Sequence, residues 1–308
     1  LSRTLGKAEP KDFFGVDKDI DAFSRTIQRY LTKYHRWNSP KFIIGESYGT
    51  TRAAVLSDAL LDKGVQLNGI AFVSTVFNFA DFQGDQSLIN FLPTYAADAW
   101  YHGKVPAKPP LDGFLDQARQ FASGPYALAL QKGNSLDDSE KQSIARQMAE
   151  FTGLSTDYIL RSNLRVQPDR FQRELLRDRH QVIGRIDSRY VGTEPDRVGE
   201  AADYDPQGSA ITGAFVGALN DYLFGDLGYK TELVYRPNNY AQAFADGDDG
   251  WTFQHKAPGG EQQIADTSVD LADAMRQNPR MKLLSVNGLY DLATPFHGAE
   301  YEFRHMAI

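Results

Sequence analysis

The sequence has 308 residues, with 33 Lys and Arg against 40 Asp and Glu, a formal net charge of −7. That length admits one large domain or two ordinary ones with a real core, and 42% apolar with 24% charged residues excludes wholesale disorder. An acidic chain lacks the positive field a nucleic-acid binder needs, and the absence of cysteine excludes disulfides, thiolate zinc sites and a cysteine nucleophile.

The chain opens on Leu1-Ser2-Arg3 without a signal-peptide pattern and stops at His305-Met306-Ala307-Ile308, just after a helix begins. These abrupt ends lead us to expect a fragment or a processed chain. No apolar run approaches the roughly 20 residues of a membrane-spanning helix.

The first expected helix covers 19–37, with Phe23, Ile27, Leu31 and Tyr34 on one face. Pro40 ends that pattern, and 41–44 (Lys-Phe-Ile-Ile) reads as a short buried strand. A second helix is expected over 48–63 with Gly64 as its C-terminal cap, followed by a strand over 70–73. Helix, strand, helix and strand with short links are the pattern of parallel βαβ units. From Ser87 to about Gly228 helices dominate, expected at 87–101, 111–121, 126–132, 139–151, 156–162, 168–179 and 210–224. The βαβ texture returns with a helix over 268–277 and a strand over 282–286. A helical block of this size is too long for a loop. The expected organisation is an α/β core in two pieces, 1–78 and 236–308, around a helical cap at 79–235.

The strand at 42–44 runs into Gly45-Glu46-Ser47-Tyr48-Gly49 and straight into a helix. This is Gly-x-Ser-x-Gly in the strand-to-helix setting that raises a serine nucleophile above the strand ends. Gly45 and Gly49 would permit close approach of backbone and substrate, and the Tyr48 backbone N–H would face a developing oxyanion. A serine in an ordinary glycine-rich turn is the competing reading. A triad then needs an acid and a base, in that order along the chain. Asp291 lies just past the strand at 282–286, as a triad acid or as a turn aspartate before the helix near Pro295.

The Gly45–Gly49 pentapeptide, the Asn287-Gly288-x-x-Asp291 segment and the long helical insertion resemble the serine carboxypeptidase family. The likeness is greatest to its bacterial branch, through Leu289-Tyr290-Asp291-Leu292-Ala293-Thr294-Pro295-Phe296. Residues 92–97, 100–103 and the Gly184-Arg185-Ile186-Asp187-Ser188-Arg189-Tyr190 segment extend the likeness over nearly the whole chain. The resemblance implies an α/β-hydrolase fold with a large helical cap insertion that removes residues from peptide C-termini through an acyl-enzyme. It implies Ser47 as nucleophile, Asp291 as triad acid, and Glu46 as a carboxyl that helps bind the substrate's terminal carboxylate by sharing a proton. Two carboxyl groups meeting a carboxylate cannot all be ionised, which accounts for a preference for acidic conditions. It implies a peptide with a free C-terminus as partner and no cofactor, and it favours a periplasmic or secreted protein.

The sequence departs from that family in two places. Only His297 and His305 follow Asp291, and neither is spaced to bridge Asp291 and Ser47; the other four histidines precede Asp291, and His102 reads as structural. Nothing before Phe42 resembles the family's Asn-Gly-Gly-Pro oxyanion loop. The catalytic histidine is therefore expected beyond this chain, and the isolated chain is expected to have little or no peptidase activity. Asp246-Gly247-Asp248-Asp249-Gly250 reads as an acidic turn rather than a calcium loop, and no metal site is expected. Another capped α/β-hydrolase, esterase or aminopeptidase-like, and a non-catalytic binding protein on the same fold are the alternatives.

Overall fold

The computed structural model describes residues 6–235 and 250–307. In chain order, α1 (Val16–Lys33), β1 (Phe42–Glu46), α2 (Tyr48–Leu61) and β2 (Gly69–Val73) come first. The helices α3 (Gly84–Tyr101), α4 (Leu111–Phe121), α5 (Ala127–Lys132), α6 (Asp138–Thr152), α7 (Thr156–Arg161) and α8 (Pro168–Glu174) follow. A hairpin of β3 (Gln181–Ile183) and β4 (Val191–Thr193) precedes α9 (Pro206–Asp221). A second hairpin of β5 (His255–Ala257) and β6 (Gly260–Gln262) precedes α10 (Ser268–Gln277), β7 (Lys282–Val286) and α11 (Phe296–His305).

The protein is mixed α/β, and its described residues form a three-stranded parallel sheet in the order β1-β2-β7. Ile43 pairs with Ile70 and Ile70 with Leu283, so one register line crosses all three strands. Strands β2 and β7 are adjacent although the whole helical block lies between them in the chain.

One face of the sheet is covered. Ile70 and Phe72 are buried with Ala53, Leu56 and Leu60 of α2, Val16 and Ile20 of α1, and Leu271 and Ala274 of α10. The other face is open: Phe42 is 70% and Ile44 76% exposed, with Leu284 and Val286 beside them. The expected buried strand at 41–44 is therefore a strand with only one face covered. Local sequence cannot distinguish the cases, since covering depends on what packs above the sheet.

The first helix runs Val16–Lys33 rather than 19–37, and its buried stripe is Val16, Ile20, Ser24 and Leu31. Phe23 and Tyr34 are exposed, contrary to the expected face, and Phe23 lies 4.4 Å beneath the Arg52 guanidinium. After α2, Gly64 takes φ 71° and closes the helix, with Val65 N–H donating to Leu60 O at 2.9 Å. That left-handed turn is the one the sequence marked.

Helices α3 to α8 enclose a second core around Leu92, Tyr95, Leu115, Met148, Ile159 and Phe171, which also takes in Leu292 and Phe296. Tyr95 stacks on Phe171 at 4.0 Å, and Arg165 binds Asp85 through two 2.8 Å contacts. Helix α9 starts four residues before the expected 210, because Asp205 caps it through Gln207 N–H and Pro206 suits the first turn. The two hairpins were not expected: three-residue strands are too short to show an alternating pattern. The Asp246–Gly250 turn falls on residues of which all but Gly250 lie outside the described ones.

Candidate active site

Strand β1 delivers Glu46 and Ser47 to the C-terminal edge of the sheet. Ser47 has φ 52° and ψ −122°, a left-handed conformation costing about 1–3 kcal/mol in a non-glycine residue. The surrounding bonds hold it there. Ser47 N–H donates to Val73 O at 2.9 Å, and Thr50 donates to Ser47 O from its N–H at 2.8 Å and its Oγ1 at 2.7 Å. Thr50 Oγ1 also accepts from Val76 N–H at 2.8 Å, tying the start of α2 to the loop after β2.

The two glycines of the pentapeptide are not equivalent. A Cβ on Gly45 would lie 2.1 Å from Gly49 O and 2.9 Å from Thr50 N, so the turn closes only over glycine. A Cβ on Gly49 would meet nothing within 4 Å. The protein's own packing therefore requires Gly45 and leaves open space at Gly49, where close approach had been expected.

Tyr48 is the first residue of α2, so its N–H lacks an intrahelical acceptor and lies at the positive end of the helix dipole. Its side chain turns away into structure: burial pushes the phenol up, Asp19 accepts from it at 3.4 Å, and its ring meets Trp251 edge-on at 5.0 Å.

Asp291 lies in the loop after β7 and is buried. Its Oδ1 accepts from the N–H groups of Ala293 at 2.8 Å and Thr294 at 2.9 Å. Its Oδ2 accepts from Thr294 Oγ1 at 2.6 Å and Ser74 Oγ at 3.1 Å. Asp291 thus braces its own turn, as the turn-aspartate reading has it, and sits two strands over from Ser47. Glu46, at the tip of β1, has its carboxyl raised by partial burial and then by the Asp291 charge.

The Gly184–Tyr190 segment is the turn between β3 and β4, and it grips the Asp291 loop from both sides. Ser188 N–H donates to Tyr290 O at 3.0 Å, and Leu292 N–H donates to Arg185 O at 2.9 Å. Ser188 Oγ donates to Asp98 on α3, a carboxyl that complete burial pushes far up. His102 Nε2 contacts Ser188 O at 2.8 Å, the structural role expected of it. Sequence reasoning missed Ser74 and Asp98. The position of Ser74 directly after β2 was the available signal for one; Asp98, inside a helix, had none.

None of the six histidines contacts Ser47 or Asp291. His297 is bound to Ser123 and Glu300, His305 to Tyr301 O, and His255 lies between Asp17 and Asp270. Among the described residues no cluster of His, Asp or Glu is arranged to hold a metal ion, and no helix is long and apolar enough to cross a membrane. Comparison with family models, with curated proteins and with solved structures finds no match to this chain.

Proposed function

We propose that this chain carries the nucleophile and the triad acid of a serine-type carboxypeptidase built on an α/β-hydrolase fold, with α3–α9 as a cap. The observation that carries the reading is Ser47 itself. A serine held at φ 52° between a parallel strand and a helix, over a glycine that admits no side chain, has an acid at the end of the next-but-one parallel strand. Strain of this kind clusters at active sites, ligand clamps and switch regions.

In this reading Ser47 Oγ attacks the carbonyl carbon of the last peptide bond, and Tyr48 N–H stabilises the resulting oxyanion. The proton goes to a histidine that Asp291 orients. No histidine within 1–308 reaches, so that base is supplied from outside these residues. Asp291 already receives four donors, filling the lone-pair sites of a carboxylate. The imidazole N–H then takes the place of the longest of these contacts, Ser74 Oγ. Glu46, whose carboxyl is raised by partial burial and by the Asp291 charge, can share a proton with the substrate's terminal carboxylate.

The test uses a protein that contains this chain together with its flanking coding sequence. It should release C-terminal residues from blocked dipeptides, lose that activity with Ser47→Ala, and lose discrimination for free C-termini with Glu46→Gln. An esterase would keep its rate with Glu46→Gln, and a non-catalytic binding protein would leave Ser47 unlabelled by a fluorophosphonate.

A further inference from the structure

His297 is 2% exposed in the first turn of α11, where the cap meets that helix. Its Nδ1 lies 3.1 Å from Glu300 Oε2, and its Nε2 lies 3.1 Å from Ser123 Oγ. Glu300 also receives Arg119 through Nε and Nη2, each at 2.9 Å, and Arg304 at 3.2 Å. Burial alone would raise this carboxyl, but its bonds to His297 and Arg119 outweigh burial and hold it down at about 2. An ionised carboxylate only accepts hydrogen bonds, so the proton of a neutral His297 sits on Nδ1 and Nε2 presents its lone pair to the Ser123 hydroxyl. That is the orientation of a general base.

Ser123 is exposed, in a π-helical turn (Ala122–Tyr126) between α4 and α5. Single π turns recur at functional sites. Arg119 precedes Ser123 by one helical turn, and Arg119 and Glu300, but not Ser123 or His297 themselves, line an open cavity of about 500 Å³ with Leu289, Phe296 and Phe303.

We propose that Ser123, His297 and Glu300 form a second nucleophile, base and orienting acid, independent of Ser47, that cleaves small aryl esters of carboxylic acids. Ser123 Oγ bonds to the ester carbonyl carbon while its proton passes to His297 Nε2. Arg119 is held by Glu300 through Nε and Nη2 and by Asp116 through Nη1, so the negative charge developing on the carbonyl oxygen faces solvent at this exposed serine. The C–O bond of the ester breaks, and His297 returns the proton to the departing phenol. Water, deprotonated by His297, then attacks the acyl-serine and releases the carboxylic acid with Ser123 restored. Each missing oxyanion donor costs a factor of about 10²–10³. Without paired backbone N–H groups for the oxyanion, acylation and deacylation should both be slow.

The experiment treats purified chain 1–308 with an aryl fluorophosphonate and with p-nitrophenyl acetate, locating the adduct by peptide mass spectrometry. The adduct is expected on Ser123 in the wild type and in Ser47→Ala, and absent in Ser123→Ala, an exposed change that leaves the fold intact. His297→Gln and Glu300→Gln, checked for folding by circular dichroism, should slow labelling by about 100-fold or more. An adduct on Ser47 alone, no adduct, or Ser123 labelling indifferent to His297→Gln overturns the proposal and leaves the trio as a hydrogen-bonded tie between cap and α11.

Discussion

Ser74 donates a hydrogen bond from its Oγ to Asp291 Oδ2 at 3.1 Å across 217 positions of sequence. It joins the end of β2 to the loop after β7, and so the two sheet segments that the helical block separates. Ser74 has φ 54°, and its N–H donates to Val286 O at 2.9 Å, so both its backbone and its side chain serve the junction. A hydrogen bond contributes about 0.5–1.5 kcal/mol net, so Ser74→Ala should lower unfolding free energy by about 1 kcal/mol in urea titrations. Asp291→Ala, which strands four donors at once, should cost about 3 kcal/mol.

The glycines of the pentapeptide should part company. Gly45→Ala forces a methyl group onto backbone atoms of Gly49 and Thr50 that cannot swing aside. It should cost more than about 3 kcal/mol and abolish reaction at Ser47. Gly49→Ala meets open space on a helical residue and should be neutral or stabilising by up to about 1 kcal/mol. Equal costs in urea titrations would contradict the packing described for this turn.

His255 links α1 to α10 through Asp17 at 2.6 Å and Asp270 at 3.0 Å. Burial opposes its charge, but the two carboxylates prevail and raise it to about 9. A folded value above the unfolded one means the stabilisation is complete below about pH 6.5 and lost as pH rises through 9. The loss should be about 3 kcal/mol between pH 6.5 and 10. Urea titrations across that range should show the loss in the wild type and a flatter profile in His255→Gln.

Glu302 should produce a second pH dependence in a different window. Burial and then the Asp81 charge raise its carboxyl to about 8, while its Oε1 accepts from Asn78 N–H at 2.9 Å. The folded protein holds this proton more tightly than the unfolded chain, so stability falls as pH rises from about 4.5 to 8 and levels off above. Glu302→Gln keeps the acceptor without the charge. It should be more stable than wild type by about 4 kcal/mol at pH 8 and equal to it near pH 4.5. Equal stability at both values would show that the Asp81–Glu302 repulsion is relieved some other way.

Much of the local structure was legible in the sequence. The strand–turn–helix around Ser47, the glycine stop at Gly64, the helix at Leu111–Phe121 and the α10–β7 pair all rest on periodicity and on residues with special backbone freedom. Those signals act over a few residues, so the chain itself carries them. The position of Asp291 past a strand end was legible for the same reason. Its partners were not, because Ser74 and the Ser188 turn approach from other parts of the chain.

Sequence by itself determined where most of the longer helices and the three parallel strands form, and that Ser47 stands at a tight strand-to-helix turn. Tertiary structure decided which faces are covered, leaving Phe42 and Ile44 open and turning Phe23 outward. It also decided that His297 meets Ser123 and Glu300 rather than Ser47 and Asp291. The physical reason is that burial and hydrogen-bond partnership are properties of pairs of elements. Their relative placement is set by strand order and packing, which no local pattern encodes.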